Sequence, residues 1–104
     1  SAQKNGQTVL VDFTAKWCMT CIANKKTSID ISSVRALIAE KNIKVFRADF
    51  TRRPDQITRE LAKWNRVGVP LVLVFSPDIN STPNILPEVL TPRIVLEALK
   101  KAAG

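Results

Sequence analysis

Five apolar residues in succession, Leu71–Phe75 (LVLVF), leave a strand no polar face. Such a run suits a central strand covered above and below, so the chain must supply helices for both faces. The rest of the sequence contains them. Thr8–Thr14 (TVLVDFT) reads as a buried strand, and a helix follows Cys18 to about Lys26. A second helix is predicted over Ser33–Lys41, with Val34, Leu37 and Ile38 on one face and Asp30 or Ser32 as its cap. Ile43–Phe50 reads as a strand. Asp55–Asn65 reads as a helix, with Pro54 near its first turn and Ile57, Leu61 and Trp64 inward. After the turn residues 76–84 comes a short predicted strand, Ile85–Val89. Thr91 and Pro92 then open a last helix as N-cap and first helical residue. The order β-α-α-β-α-β-β-α predicts an α/β fold. A parallel pair joins the first two strands, an antiparallel hairpin closes the sheet, and helices lie on both faces.

At 104 residues the chain is one domain. We expect residues 1–7, the polar SAQKNGQ, to be a linker or tail and residues 8–104 to be the domain. That opening has no apolar core of a signal peptide. The longest apolar run, Val67–Phe75, is broken by Gly68 and Pro70 and falls short of the ~20 residues that span a bilayer. The domain is therefore expected not to cross a membrane by itself, and to be a monomer. Sixteen Lys and Arg against nine Asp and Glu give a formal charge of +7. Such a balance raises nucleic acid as a partner. The basic residues are spread along the chain, the densest spots are pairs (Lys25-Lys26, Arg52-Arg53, Lys100-Lys101) and Tyr is absent, so the expectation is a solvated basic surface with no nucleic-acid partner.

Both cysteines lie in KWCMTC, residues 16–21. A closed zinc site takes four N or S ligands, and this chain offers two Cys and no His, so no metal is expected. A disulfide from i to i+3 closes a very small loop and is a poor staple, because the entropic gain grows with loop length. Two inert core thiols are a further possibility. A redox pair fits the context better. Cys18 follows a strand and stands where a helix begins, and free N–H groups there favour a thiolate. Cys18 is then the attacking thiol and Cys21, one turn on, the resolving one. The spacer Met19-Thr20 tunes the balance between the two forms.

Two other features bear on that pair. Asp12 interrupts the apolar strand VLVDF, where a carboxylate is costly unless partnered. Placed beneath the thiols, it would act as a proton acceptor for Cys21 with a raised pKa. Gly68-Val69-Pro70 opens the central strand. A proline at a strand start is ordinary, while a cis Val69–Pro70 bond would bare the backbone of Val69 to a substrate strand.

VDF, WC-x-x-C and GVP together resemble the thioredoxin family. VDFTAKWCMTC with Asn24, RADFT (47–51), GVPLVLVF (68–75) and LPEVLTP (86–92) are similar to the C-terminal domains of the DsbD (DipZ) branch. The resemblance runs from about Thr8 to Ala103. It implies a thioredoxin fold and protein-disulfide reductase activity on the periplasmic side of a bacterial inner membrane. Electrons would come from a membrane core and pass to an N-terminal domain, which feeds disulfide isomerisation and cytochrome c maturation. The redox-active disulfide would be the whole of the chemistry, with no separate cofactor. It further implies that Cys18 attacks, Cys21 resolves, Asp12 adjusts their pKa values, Pro70 is cis, and Trp17 packs at the site. One departure stands out. Many members carry Lys directly after the second Cys and Glu four after it; here those positions hold Ile22 and Lys25. The alternatives are a stand-alone thioredoxin-like reductase, or a binding module that uses its basic surface and carries an inert cysteine pair. Spacing does not give the direction of electron flow, since the same pair serves an oxidase at a higher potential.

Overall fold

A computed structural model describes residues 6–78 and 80–103. Four strands form one sheet in the order β2-β1-β3-β4. The central pair is β1 (Val9–Thr14) and β3 (Leu71–Phe75), antiparallel, with Leu10 opposite Val74 and Phe13 opposite Leu71. On the other side of β1 lies β2 (Lys44–Asp49), parallel, as a strand–helix–strand crossover requires. The outer β4 (Asn84–Ile85) pairs antiparallel with β3.

Alternation along the two central strands splits the core into two layers. Leu10, Val72 and Val74 point to one face. There they meet Ile29, Val34, Leu37, Val95, Ala98 and Leu99. These last residues come from α2 (Ser32–Glu40), α4 (Pro92–Ala103) and the turn before α2. Phe13, Leu71 and Leu73 point to the other face, against Leu61 of α3 (Asp55–Ala62), Phe50 and both cysteines. The unbroken apolar run of β3 is thus explained: each of its faces has its own core.

The predicted element order holds, and four boundaries differ for local reasons. α1 (Met19–Asn24) does not stop near Lys26 but widens into a π-helical turn, Lys25–Ile29, closed by the Asp30 N–H on the Lys25 carbonyl at 2.7 Å. The extra residue in that turn lets both Ser28 and Ile29 face inward. α2 is capped by neither Asp30 nor Ser32. Ile31 is its N-cap without a side-chain bond, and Asp30 instead accepts from Arg35 at 3.0 Å. α3 ends at Ala62 rather than Asn65, because Asn65 takes a left-handed conformation (φ 61) and the Arg66 N–H closes back on the Leu61 carbonyl. Asn42 ends α2 in the same conformation (φ 51). The strand expected over Ile85–Val89 shortens to Asn84–Ile85. Pro87 has no N–H to give, and the backbone groups of Glu88 and Leu90 bond elsewhere. Thr91 does cap α4, its Oγ1 accepting the Ile94 N–H at 3.2 Å. Of the expected tail, residues 1–5 lie outside the described residues, and Gln7 donates to the Asn42 carbonyl at 3.2 Å. Among the described residues no helix is long and apolar enough to cross a membrane.

Candidate active site

The strand β1 ends at Thr14, and three residues later the chain turns into α1 with Cys18 as its N-cap. Cys18 has extended backbone angles (φ −89, ψ 102), while Cys21 lies one turn inside the helix. The two form a disulfide with their Cα atoms 5.2 Å apart. The Cys21 N–H donates to Cys18 Sγ at 3.1 Å. A donor aimed at that sulfur favours its anionic form once the bond is reduced. Both cysteines are largely covered, by Phe13, Ala15, Phe50 and the half-buried Val69 among others. Around them the surface is apolar and open. Met19 is 79% exposed, Trp17 45% and Ile22 37%, while Thr20 is half-buried.

Trp17 is held from three sides by the turn that follows β2. Its Nε1–H donates to the Thr51 carbonyl at 2.8 Å, its ring meets Phe50 at 6.2 Å between centroids, and the Arg53 guanidinium lies 4.6 Å over it. Thr51 Oγ1 accepts the Lys16 N–H at 2.9 Å and donates to Asp49, whose carboxylate also accepts the Thr51 N–H. These bonds from Thr51 hold the Asp49 carboxyl below its ordinary range, with Lys16 and Arg52 adding to the effect.

Asp12 is buried in β1, on the strand face that carries Leu10. Its register partner on β2 is Arg47, whose Nε lies 3.4 Å from Oδ2. Burial pushes the Asp12 carboxyl above its ordinary value near 3.8; Arg47, and more weakly Lys25, pull it back without reversing the shift. Among the described residues Asp12 makes no hydrogen bond to either cysteine. Lys25 is exposed and reaches the site through that field alone. The raised carboxyl has a consequence for stability. Below about pH 3.8 folded and unfolded chains both hold the proton. As pH rises through the folded value, the folded chain must give up a proton that burial favours keeping, and stability falls. Asp12→Asn is therefore expected to be more stable than the parent at pH 7, with the advantage shrinking toward pH 4. Urea unfolding of both proteins at the two pH values checks this; an advantage that does not grow with pH would refute it.

The Val69–Pro70 peptide bond is cis, and both residues are half-buried at the start of β3. The Pro70 carbonyl accepts from Arg66 Nη1 at 3.5 Å, and Arg66 also pairs with Glu88 at 3.4 Å.

The sequence reading did not assign Asn24 a place in the site, yet it is 4% exposed and bonded at both ends of its amide. Nδ2 donates to the Glu88 carbonyl at 2.8 Å, and Oδ1 accepts the Leu90 N–H at 3.0 Å. It thereby fixes the segment 88–90 against α1. The available signal was periodicity: Cys21, Asn24 and Ser28 lie on one inward helical line, where an amide needs partners. Arg47, Thr51 and Arg53 carried no such signal. Two concavities of the described surface, both lined by Asn84, Ala98 and Lys101, include none of these site residues. A pair that meets a protein strand needs an open face instead. Among the described residues no three His, Cys, Asp or Glu side chains gather as a metal site requires.

A family model described as thioredoxin-like matches residues 1–77. The thiol:disulfide interchange protein DsbD of Pseudomonas fluorescens is 33% identical over 78 residues, 75% of this chain and 13% of that protein. The DsbD of Ralstonia nicotianae is 25% identical over all 104 residues, 17% of its length. The chain thus spans less than a fifth of these relatives. Among solved structures, the reduced DsbD C-terminal domain of Neisseria meningitidis superposes with a TM-score of 0.76 at 18% identity, over 97% of this chain and 90% of that one. A thioredoxin from Thermus thermophilus gives 0.73 at 19% identity, over 96% and 76%.

Proposed function

The chain belongs to the thioredoxin-like family, and on that premise we propose that it is a protein-disulfide reductase that works by dithiol–disulfide exchange. The observation that carries this reading is Cys18 at the N-cap of α1, its sulfur facing the Cys21 N–H and bonded to Cys21, on an open face ringed by Trp17, Met19 and Ile22. In the reduced protein the Cys18 thiolate attacks one sulfur of a partner disulfide and releases the other as a thiolate. Cys21, deprotonated, then attacks Cys18 Sγ and re-forms the internal disulfide. The second partner sulfur leaves, so two electrons and two protons end on the partner. Asp12 accepts the Cys21 proton as that thiol attacks, a role to which its raised pKa suits it. Val69, beside Pro70, offers backbone to the partner strand, and Trp17 and Met19 form its apolar seat with Thr20 between the cysteines.

The place of the domain is a finer part of the same proposal. The likeness to DsbD proteins many times its length supports a periplasmic C-terminal domain, residues 8–104, taking electrons from a membrane core and passing them to an N-terminal domain. The equilibrium reduction potential of Cys18/Cys21, by thiol trapping in glutathione or dithiothreitol buffers, tests the direction. A value near about −270 mV, or modestly above, supports a reductant. A value near about −120 mV would make the domain an oxidant.

Lys25 stands one helical turn past Cys21, and its charge favours a thiolate nearby. Lys25→Glu is expected to raise the Cys18 pKa, read as thiolate absorbance or alkylation rate against pH. An unchanged or lower value in the variant would exclude this role for Lys25.

A further inference from the structure

Among the described residues five basic side chains pair with carboxylates, namely Arg35, Arg47, Lys63, Arg66 and Arg93. At the edge of the disulfide face it does not. Lys16, Arg52 and Arg53 are all exposed, and none has a carboxylate within ion-pair distance among the described residues. They are brought to one place by the fold. The Lys16 N–H is bonded to Thr51, the Trp17 indole is bonded to the same residue, and Arg53 is stacked on the Trp17 ring. Asp49 accepts two hydrogen bonds from Thr51 and feels Lys16 and Arg52 through space, and one carboxylate against three cations leaves the cluster positive. The turn is built rather than loose: the Arg53 N–H returns to the Phe50 carbonyl at 2.9 Å, with Arg53 itself left-handed (φ 49). Cys18 is the next residue after Trp17, so the positive edge borders the apolar seat of the reacting sulfur.

We propose that Lys16, Arg52 and Arg53 form a docking edge that selects protein disulfides flanked by carboxylates. This deepens the reductase reading and rests on it. The apolar seat meets the residues beside the partner's cysteine, and the edge meets Asp or Glu a few residues away. Exposed charges of this kind act mainly on the encounter rate, and salt screens them over a Debye length of about 10 Å at 0.1 M. The selection is therefore large at low ionic strength and small at high.

The test uses the reduced protein and three synthetic peptides, each closed by one disulfide and identical except for two flanking residues: Glu, Lys or Ser. At low salt the Glu peptide is expected to be reduced about tenfold faster than the Lys peptide, falling to within about threefold at 0.5 M NaCl. In Lys16→Gln/Arg52→Gln/Arg53→Gln the low-salt ratio should also fall to within about threefold. In Lys41→Gln/Lys100→Gln/Lys101→Gln, which loses the same charge elsewhere, it should persist. Equal rates for the Glu and Lys peptides in the parent, a ratio that survives the first triple substitution, or one that falls equally in the second, would overturn the docking edge while leaving the reductase reading intact. Failure to reduce even the Ser peptide would overturn the reductase reading, and the docking edge with it.

Discussion

Cys18→Ser is expected to bring disulfide exchange down to background, on the order of a thousandfold or more. Cys21→Ser is expected to do something different. A serine hydroxyl can neither attack a disulfide nor leave as a thiolate, so the first substitution removes the nucleophile and the second removes the release step. The Cys21→Ser protein should therefore react once with a peptide disulfide and stop as a one-to-one mixed disulfide. That adduct is visible by mass and lost on adding dithiothreitol. The assignment of roles rests on position. Cys18 is the N-cap, with the Cys21 N–H directed at its sulfur, and Cys21 is inside the helix. Both sulfurs are nearly buried as a disulfide, 7% and 5% exposed by residue, so exposure alone does not separate them. An adduct on Cys21 in Cys18→Ser, with none in Cys21→Ser, would reverse the assignment.

The second large effect is on stability. Asn24→Ala should cost about 3 kcal/mol, because it strips partners from a buried N–H and a carbonyl at once and leaves a small void. Leu90 is itself buried, so its N–H has little access to a replacement water. Glu88 is exposed, and its carbonyl will be partly rescued, which keeps the figure from being higher. Urea unfolding of parent and variant measures it. Because Asn24 ties 88–90 to α1, the loss should appear in both the oxidised and the reduced protein. A cost below about 0.5 kcal/mol would mean that water or local rearrangement serves these groups as well as the amide does.

The cysteines and Asn24 differ sharply in how they could be found. The cysteines announce themselves by spacing and by the strand before them. Asn24 was visible as part of a family resemblance but had no stated task, since its partners lie 64 and 66 residues along the chain. Asp12 was legible as an anomaly, a carboxylate in an apolar strand. That its neighbour would be Arg47 required the register of β1 on β2, which no local pattern specifies. The missed boundaries have a similar origin. Asn42 and Asn65 end their helices by taking a left-handed turn, and a strand over Ile85–Val89 lost residues to a competing partner, the side chain of Asn24.

What the sequence determined by itself is what local periodicity and local chemistry express. These are the central β run with no polar face, the amphipathic helices, the Thr91 cap, and two thiols one helical turn apart. Each depends on residues within a turn or a strand of one another, where geometry is nearly independent of the remaining chain. The tertiary structure decided which distant groups share a neighbourhood: Arg47 beside Asp12, Thr51 and Arg53 on Trp17, and Asn24 on residues 88–90. Those contacts join residues more than thirty positions apart. They follow from strand order, register and the packing of helices on each face, and they exist only once the whole sheet has formed.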